Sequence, residues 1–269
     1  MKKILTTAIL CAGLVGFTAC DSFLDEDPKS SLTLDTYYKT SADIIGNVNY
    51  LYRDGAPDKM GNMTGAYRGS SLSVMNMVTG YFVNEYEGQE VDCSYARQLT
   101  RQDFTQSCCN YLTNDTWKSC YKSINVANAV IKYVDGVEMD NQAQYKAEAR
   151  FFRALNYFYL VKMFGDVPMV TEPTEDATLV EYPTRTAASE VFNTVIIPDL
   201  QFAVENLPNA TFAGNSHRVT KYAADMLLAD VYMRLGEYAN AVTPLKDVIN
   251  SGKFALATND NLAEGSAFN

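Results

Sequence analysis

One cysteine near the amino terminus has neighbours that direct covalent lipid attachment. Cys20 follows the small residues Thr18 and Ala19, and the apolar run 4–17 before them begins after two lysines. That run is shorter than the ~20 apolar residues of a spanning helix, so residues 1–19 are interpreted as a signal peptide. The junction resembles a lipoprotein signal peptidase site, which predicts acylation of Cys20 and stable anchoring by more than one lipid chain. The alternative is an ordinary cleavage site that happens to precede a cysteine.

The other thiols and the imidazole form no recognisable catalytic or metal-binding pattern. Cys93, Cys108, Cys109 and Cys120 include no CxxC pair, and His217 is the only histidine. Zinc sites and nucleophile–base pairs are therefore disfavoured, and we expect neither metal nor cofactor. In an oxidising compartment these thiols are expected in disulfides or buried. Adjacent cysteines rarely bridge each other, so Cys108 and Cys109 are not expected to pair together; Cys93 and Cys120 are the plausible partners, and the pairing stays open.

The chain is acidic and large enough to bury a substantial core. Its 269 residues carry a net charge of −10, and 47% of them are hydrophobic, which argues against disorder. Removal of residues 1–19 takes away two lysines and changes the net charge from −10 to −12. An acidic surface disfavours nucleic acid and anionic lipid as general partners. Membrane attachment would then depend on the lipid carried by Cys20.

Residues 53–113 form a polar, tyrosine-rich segment interrupted by glycines, where we expect long loops and short elements. The aromatic residues of 81–111 follow no sustained helical period, unlike those of 145–164 and 222–238. Rings in such a sequence can face solvent without leaving a gap in a core, which makes them candidates for ligand contact. The alternative is that most of them are half-buried packing residues. The candidate ligand-binding residues are Tyr81, Tyr86 and Tyr95 as stacking platforms, and Arg97 as a polar anchor.

Regular apolar spacing predicts helices in most of the remaining chain. The first lies within residues 33–52, where Thr40 or Ser41 can serve as its N-cap. Another runs from Gln142 to Phe164, is apolar nearly all round in its second half, and ends at a glycine. A further helix over residues 186–206 contains Pro198, which should kink or break it because proline lacks the backbone N–H.

One further helical face begins at a tryptophan and includes a single amide. Asn128 is interpreted either as a buried, hydrogen-bonded structural residue or as a ligand contact. The structural interpretation is favoured because the other residues of the face are apolar. The face consists of Trp117, Tyr121, Ile124, Asn128 and Ile131.

Residues 220–250 carry the spacing of small and large residues that is typical of a tetratricopeptide hairpin. Thr220 is a suitable N-cap and Gly236 lies in the expected turn. The positions that match the repeat are Ala229, Tyr232, Ala241 and Leu245. The sequence therefore predicts a mainly α fold, with a tetratricopeptide-like helical repeat scaffold and long loops.

Several segments together resemble the SusD-like (RagB/SusD) family of outer-membrane lipoproteins. The resemblance begins with CDSFLDEDPKSSL after the signal and continues with the face that starts at Trp117. It is most specific in AEARFFRALNYFYLVKMFGDVPMV (147–170) and HRVTKYAADMLLADVYMRLGEY (217–238). Pro198 and His217 depart from the family pattern, which more often has a helix former and a glycine at these positions.

The resemblance implies a cell-surface lipoprotein on the outer membrane that captures glycan, or peptide, without catalysis. It implies delivery of that ligand to a SusC-like TonB-dependent transporter. Ligand contacts are expected in loops outside the repeats, where flat aromatic faces suit sugar rings. A glycoside hydrolase, which needs two facing carboxylates, and a helical scaffold without a small ligand are the alternatives.

The resemblance also organises the chain. We expect a signal peptide in residues 1–19, a lipid-anchored tether with the first helix and a loop-rich ligand-facing region in 20–116, and a helical scaffold in 117–269. Family members are about twice this long, so a C-terminal half that packs on the scaffold is expected to be absent. An uncapped repeat array would then expose an apolar face.

Overall fold

The computed structural model describes residues 34–54, 79–81, 98, 100–102, 107–174 and 183–256, without the side chains of residues 35, 54 and 107–115. Two compact units divide between Tyr37 and Tyr38. The described part of the first unit is the short helix α1 (Leu34–Tyr37). The second contains the other described helices: α2 (Ser41–Asp54), α3 (Ser107–Tyr133), α4 (Gln142–Phe164), α5 (Ala188–Val191, Phe192–Ile196 and Ile197–Asn206), α6 (Lys221–Arg234) and α7 (Tyr238–Asn250).

Helix α2 begins where a reciprocal pair of side-chain hydrogen bonds caps it. The Asp43 carboxylate accepts from the Thr40 N–H at 2.8 Å, and the Thr40 hydroxyl accepts from the Asp43 N–H at 3.4 Å. This arrangement satisfies two backbone donors at the helix start, so Thr40 is the N-cap, as predicted. The helix predicted within residues 33–52 is confirmed, and the separate short helix α1 precedes it. Ile44, Val48 and Leu51 of α2 are completely buried.

Helix α3 starts earlier than its apolar pattern indicates. It begins at Ser107, within the region that was expected to be loops, so that expectation is wrong for residues 107–113. Cys108, Cys109 and Tyr111 therefore have a helical backbone, and the predicted division between residues 116 and 117 falls inside the helix. Cys120 is completely buried. Cys93 and the side chains of Cys108 and Cys109 lie outside the described residues, so the disulfide stays a prediction.

Helix α4 forms the centre of the core and has the predicted bounds, Gln142–Phe164. Tyr157, Phe158 and Leu160 are at most 1% exposed, in agreement with a helix that is apolar nearly all round. The helix ends at Gly165, whose φ of +67° is a conformation that glycine adopts without a steric penalty. Its N–H donates to the Val161 carbonyl, which closes the last turn.

Helix α5 departs from regular α geometry next to its proline, as expected. Its middle part, Phe192–Ile196, is a π-helical turn, and Pro198 lies at the start of the α-helical part that follows. Proline cannot donate the usual hydrogen bond to the carbonyl four residues earlier, and a wider turn avoids the clash with that carbonyl. Val191, Val195, Ile196 and Leu200 remain buried on the face toward α4.

Helices α6 and α7 form the predicted antiparallel hairpin. Gly236 has φ +75° in the turn, and the small residues Ala229 and Ala241 are 0% and 2% exposed, so the two backbones can approach closely. Thr220 occupies the N-cap position of α6, although its side chain makes no capping hydrogen bond. Tyr238 and Ile249 of α7 are 69% and 72% exposed, so α7 presents an apolar face to solvent.

Within the described ranges, no helix combines the length and the apolar character needed to cross a membrane.

Candidate ligand-binding surface

Of the four predicted ligand-binding residues, the structure describes only Tyr81. Its ring is 88% exposed, and it follows a turn in which Gly80 has φ +79°. The Tyr81 N–H donates to the Thr79 hydroxyl at 3.3 Å, which helps fix the turn. A ring presented in this way can accept a flat ligand face. The other predicted ligand residues, Tyr86, Tyr95 and Arg97, lie outside the described residues, as does the lipidation candidate Cys20, so those assignments stay predictions.

A buried charged cluster joins helices α3, α4 and α5. Arg153 of α4 donates to both carboxylate oxygens of Asp199 on α5, at 2.7 and 2.9 Å. A third guanidinium hydrogen bond, of 2.9 Å, reaches the Asn128 amide oxygen on α3. Arg150 lies 3.8 Å from Asp199 and stacks on Phe202. Burial raises the pKa of the Asp199 carboxyl, and the Arg153 hydrogen bonds oppose that rise.

Asn128 belongs to this framework and confirms the structural interpretation of its position. It is 1% exposed. Its amide nitrogen donates to the Val170 and Glu172 carbonyls at 3.0 and 3.2 Å. These acceptors belong to residues 167–174, which follow α4 and are called the strap below. Tyr157 also holds the strap, and burial raises the pKa of its phenol to about 12.

A second buried cluster ties α2 and α4 to the loop before α6. Glu148 is completely buried and accepts from the Arg218 guanidinium through both oxygens, at distances down to 2.6 Å. Arg218 stacks on the Tyr52 ring and donates to Asn49 at 2.8 Å. The Tyr52 hydroxyl donates to Glu148 and accepts from the Val219 N–H, both at 2.9 Å. These hydrogen bonds therefore fix the positions of α2, α4 and the loop before α6 relative to one another.

A cluster of aromatic residues lies where the first half of α3 meets the end of α4. The Trp117 ring meets Phe164 edge-on at 5.1 Å, and the Arg185 guanidinium lies 5.5 Å from the Trp117 ring centre. Arg185 also donates to the Asp166 carbonyl, and the Asp166 carboxylate caps α5 through the Ala188 N–H at 2.9 Å. Trp117 is half-buried among these neighbours. It is therefore a packing residue, and its face is already occupied by a cation.

The buried carboxylates of these clusters are committed to structural partners. Glu148 and Asp199 each pair with an arginine and are at most 2% exposed, so neither can act as an acid or base at an open cleft. In the part of the chain that the structure describes, no group of three or more metal-ligating side chains could hold a metal ion. These buried clusters therefore hold the helices together, and the helices can position a ligand surface.

Sequence reasoning did not find the pairing of these charged groups. Glu148 and Arg153 stand between buried apolar neighbours in α4, and a charge in such a position usually signals a buried partner. That signal could have identified both residues as paired, but their partners lie far away in the chain.

The chain matches a known family over most of its length. The sequence model of SusD-like proteins described as "Starch-binding associating with outer membrane" matches residues 22–233. SusD-like protein P2 of Formosa agariphila is 29% identical over 254 residues, which cover 93% of this chain and 47% of that protein. The chain belongs to the SusD-like family, which confirms the resemblance seen in the sequence. It spans about half the length of the curated relatives that it matches.

Solved structures agree with this assignment. A SusD superfamily protein from Parabacteroides distasonis superposes with a TM-score of 0.65 at 26% identity, over 80% of this chain and 45% of that chain. A laminarin-binding SusD-like protein superposes with a TM-score of 0.70 at 24% identity, over 86% of this chain and 50% of that chain. These superpositions confirm the predicted mainly α, tetratricopeptide-like fold.

Proposed function

We propose that this chain is part of a cell-surface lipoprotein that captures glycan, or alternatively peptide, and passes it to a TonB-dependent outer-membrane transporter without chemical change. The observation that carries the proposal is the family match over residues 22–233. The family's own description associates it with starch binding and with the outer membrane. Binding without catalysis also fits the described carboxylates, since the buried ones, Glu148, Asp199 and Asp225, are paired with arginine or lysine.

The proposed ligand surface is the segment that contains Tyr81, Tyr86, Tyr95 and Arg97. Tyr81 supports this proposal because it is 88% exposed on a fixed turn, whereas four of the seven aromatic residues of α4 are buried in the core. An exposed ring costs little to desolvate on one face, and a sugar ring can stack on it while polar neighbours orient the hydroxyls.

The proposed anchor is a lipid on Cys20, which would hold the protein on the outer membrane, facing the cell exterior. The proposed partner is a SusC-like transporter, and the helical scaffold would supply the surface that packs against it. The acidic net charge of the chain supports lipid-mediated rather than charge-mediated attachment to the membrane.

Affinity electrophoresis against starch-type and laminarin-type polysaccharides, followed by a turnover assay on the polysaccharide that binds, tests the proposal. Laminarin is included because a protein of the same fold is described as binding it. We expect retarded migration with no shortening of the polysaccharide. Release of shorter oligosaccharides would favour the hydrolase alternative. A folded protein that binds neither polysaccharide nor peptide would favour the scaffold alternative.

A further inference from the structure

Two exposed aromatic rings lie together on the loop between α5 and α6, residues 207–220. Phe212 is 54% exposed, and His217, the only histidine of the chain, is also exposed. The ring centroids are 5.3 Å apart, and the ring planes cross at 83°. Because both rings lie outside the buried core, the packing of the helices does not account for their position.

A strained turn places these two rings side by side. Ser216 and His217 have φ of +51° and +61°, a left-handed conformation that is unfavourable for residues with a Cβ. In this turn the His217 N–H donates to the Phe212 carbonyl at 2.9 Å, which brings the two residues together. Strained residues are concentrated at ligand sites and switch regions, so the turn indicates a role for His217 outside folding. A purely structural role of the turn is the alternative.

The rest of the loop is fixed by its own hydrogen bonds. The Asn215 side chain donates to the Val219 carbonyl at 2.9 Å, and the Asn215 N–H donates to the Thr211 carbonyl at 3.0 Å. The Gly214 N–H donates to the Thr211 hydroxyl at 3.1 Å. The ring pair is therefore presented by a preorganised loop, and a ligand would not need to order the loop when it binds.

The chemistry of the loop favours a neutral ligand that carries hydroxyl groups. Residues 206–217 contain no Asp, Glu, Lys or Arg, so this segment offers no partner for a charged ligand. Within the described part of the chain, neither the Ser216 hydroxyl nor the His217 imidazole makes a hydrogen bond. Each of the two groups can both donate and accept, as sugar hydroxyls require.

We propose that Phe212, Ser216 and His217 form a second carbohydrate subsite, in addition to the proposed tyrosine-rich ligand surface. A sugar ring would stack on Phe212 while its hydroxyls bond to the other two side chains. A peptide strand is disfavoured as the ligand, because the N–H groups of Asn215 and Arg218 already donate to carbonyls within the loop. The identity of the ligand as a glycan rests on the proposed function, whereas the existence of a ligand surface rests on the loop.

The only histidine of the chain makes NMR a direct test, because its imidazole C–H resonances report on this loop alone. The 269-residue chain is titrated with oligosaccharides of starch and of laminarin. We expect saturable shifts of the His217 resonances with at least one of them. Mannitol, which has hydroxyl groups but no ring to stack, should cause no saturable shift at the same concentration.

Three variants separate ligand contact from a structural role. Phe212→Ala should weaken the binding reported by His217 by about twofold to tenfold at unchanged Tm, because its ring lies outside the core. Phe254→Ala changes a comparably exposed phenylalanine (46%) and should not weaken it. His217→Gly should weaken binding in calorimetry without lowering Tm, because glycine adopts the left-handed conformation without strain.

Several outcomes would overturn the subsite. If the chain binds an oligosaccharide in affinity electrophoresis while the His217 resonances do not move, the subsite is refuted and the proposed function stands. If no oligosaccharide binds at all, both are refuted. Unchanged affinity in Phe212→Ala would exclude stacking. Loss of the His217 shifts in the triple variant Tyr81→Ala/Tyr86→Ala/Tyr95→Ala at unchanged Tm would show that the shifts report binding elsewhere.

Discussion

Replacing Arg153 with methionine should destabilise the protein strongly, because it leaves a buried carboxylate without its main partner. The Arg153 and Asp199 side chains are 10% and 3% exposed, and two hydrogen bonds of 2.7 and 2.9 Å join them. After the change, the nearest cation is Arg150 at 3.8 Å. Breaking a buried pair in this way costs about 3–5 kcal/mol. For a chain of this size that is a fall in Tm of roughly 6–20 °C.

Guanidinium unfolding monitored by circular dichroism would measure this loss. The control is the double variant Arg153→Met/Asp199→Leu, which removes both charges and should be more stable than Arg153→Met alone. If the double variant is as unstable as the single one, the buried charge is not the cause. A loss below about 1 kcal/mol in Arg153→Met, as for an exposed pair, would also refute the reasoning.

The same variant predicts a pH dependence with a definite sign. Burial raises the pKa of Asp199 above its ordinary value of 3.8, and Arg153 opposes the rise. Without Arg153 the folded-state pKa should rise further, so the folded state binds a proton more tightly than the unfolded chain. The stability deficit of Arg153→Met should therefore be largest above that raised pKa and shrink as the pH falls through it toward 3.8. A deficit that grows on acidification would contradict this.

Three further predictions concern other parts of the chain. Cys20→Ala should abolish labelling by a fatty-acid analogue, and labelling that persists would exclude Cys20 as the lipid site. Tyr52→Phe should cost about 1–3 kcal/mol in urea unfolding, because the Glu148 and Val219 groups lose a 2.9 Å hydrogen-bond partner; no change relative to Tyr238→Phe would argue against it. Ile249→Lys should reduce the binding of a hydrophobic dye by the 269-residue chain, since the Ile249 side chain is 72% exposed. Undiminished dye binding would show that the dye binds to another apolar surface.

Local sequence signals were sufficient to predict those helices whose apolar residues and end signals lie within one segment. Helix α4 has the predicted bounds because apolar residues and a terminal glycine both act within the segment. The same holds for the α6–α7 hairpin with Gly236 in its turn. Asn128 could be interpreted correctly because a lone amide on an apolar face needs buried partners.

The features that the sequence did not reveal depend on contacts between distant residues or on polar helical sequence. The first ten residues of α3 are mostly polar and carry no apolar period, so only the structure shows that the helix starts at Ser107. The Glu148–Arg218 pair joins residues 70 positions apart. The sequence did not reveal the strap for a related reason. The strap is held by hydrogen bonds between its backbone groups and side chains of other helices, and these contacts leave no pattern in its own sequence.

The central claim is that the protein binds glycan through Tyr81, Tyr86 and Tyr95. Calorimetric titration of the polysaccharide identified by electrophoresis tests it most directly, with Tyr81→Ala, Tyr86→Ala and Tyr95→Ala compared with Tyr238→Ala, which changes another exposed tyrosine, on α7. Each stacking contact is worth about 0.5–1.5 kcal/mol, so each of the first three changes should weaken binding by about tenfold at most, and Tyr238→Ala should not. Full affinity in all three variants at unchanged Tm would contradict the claim.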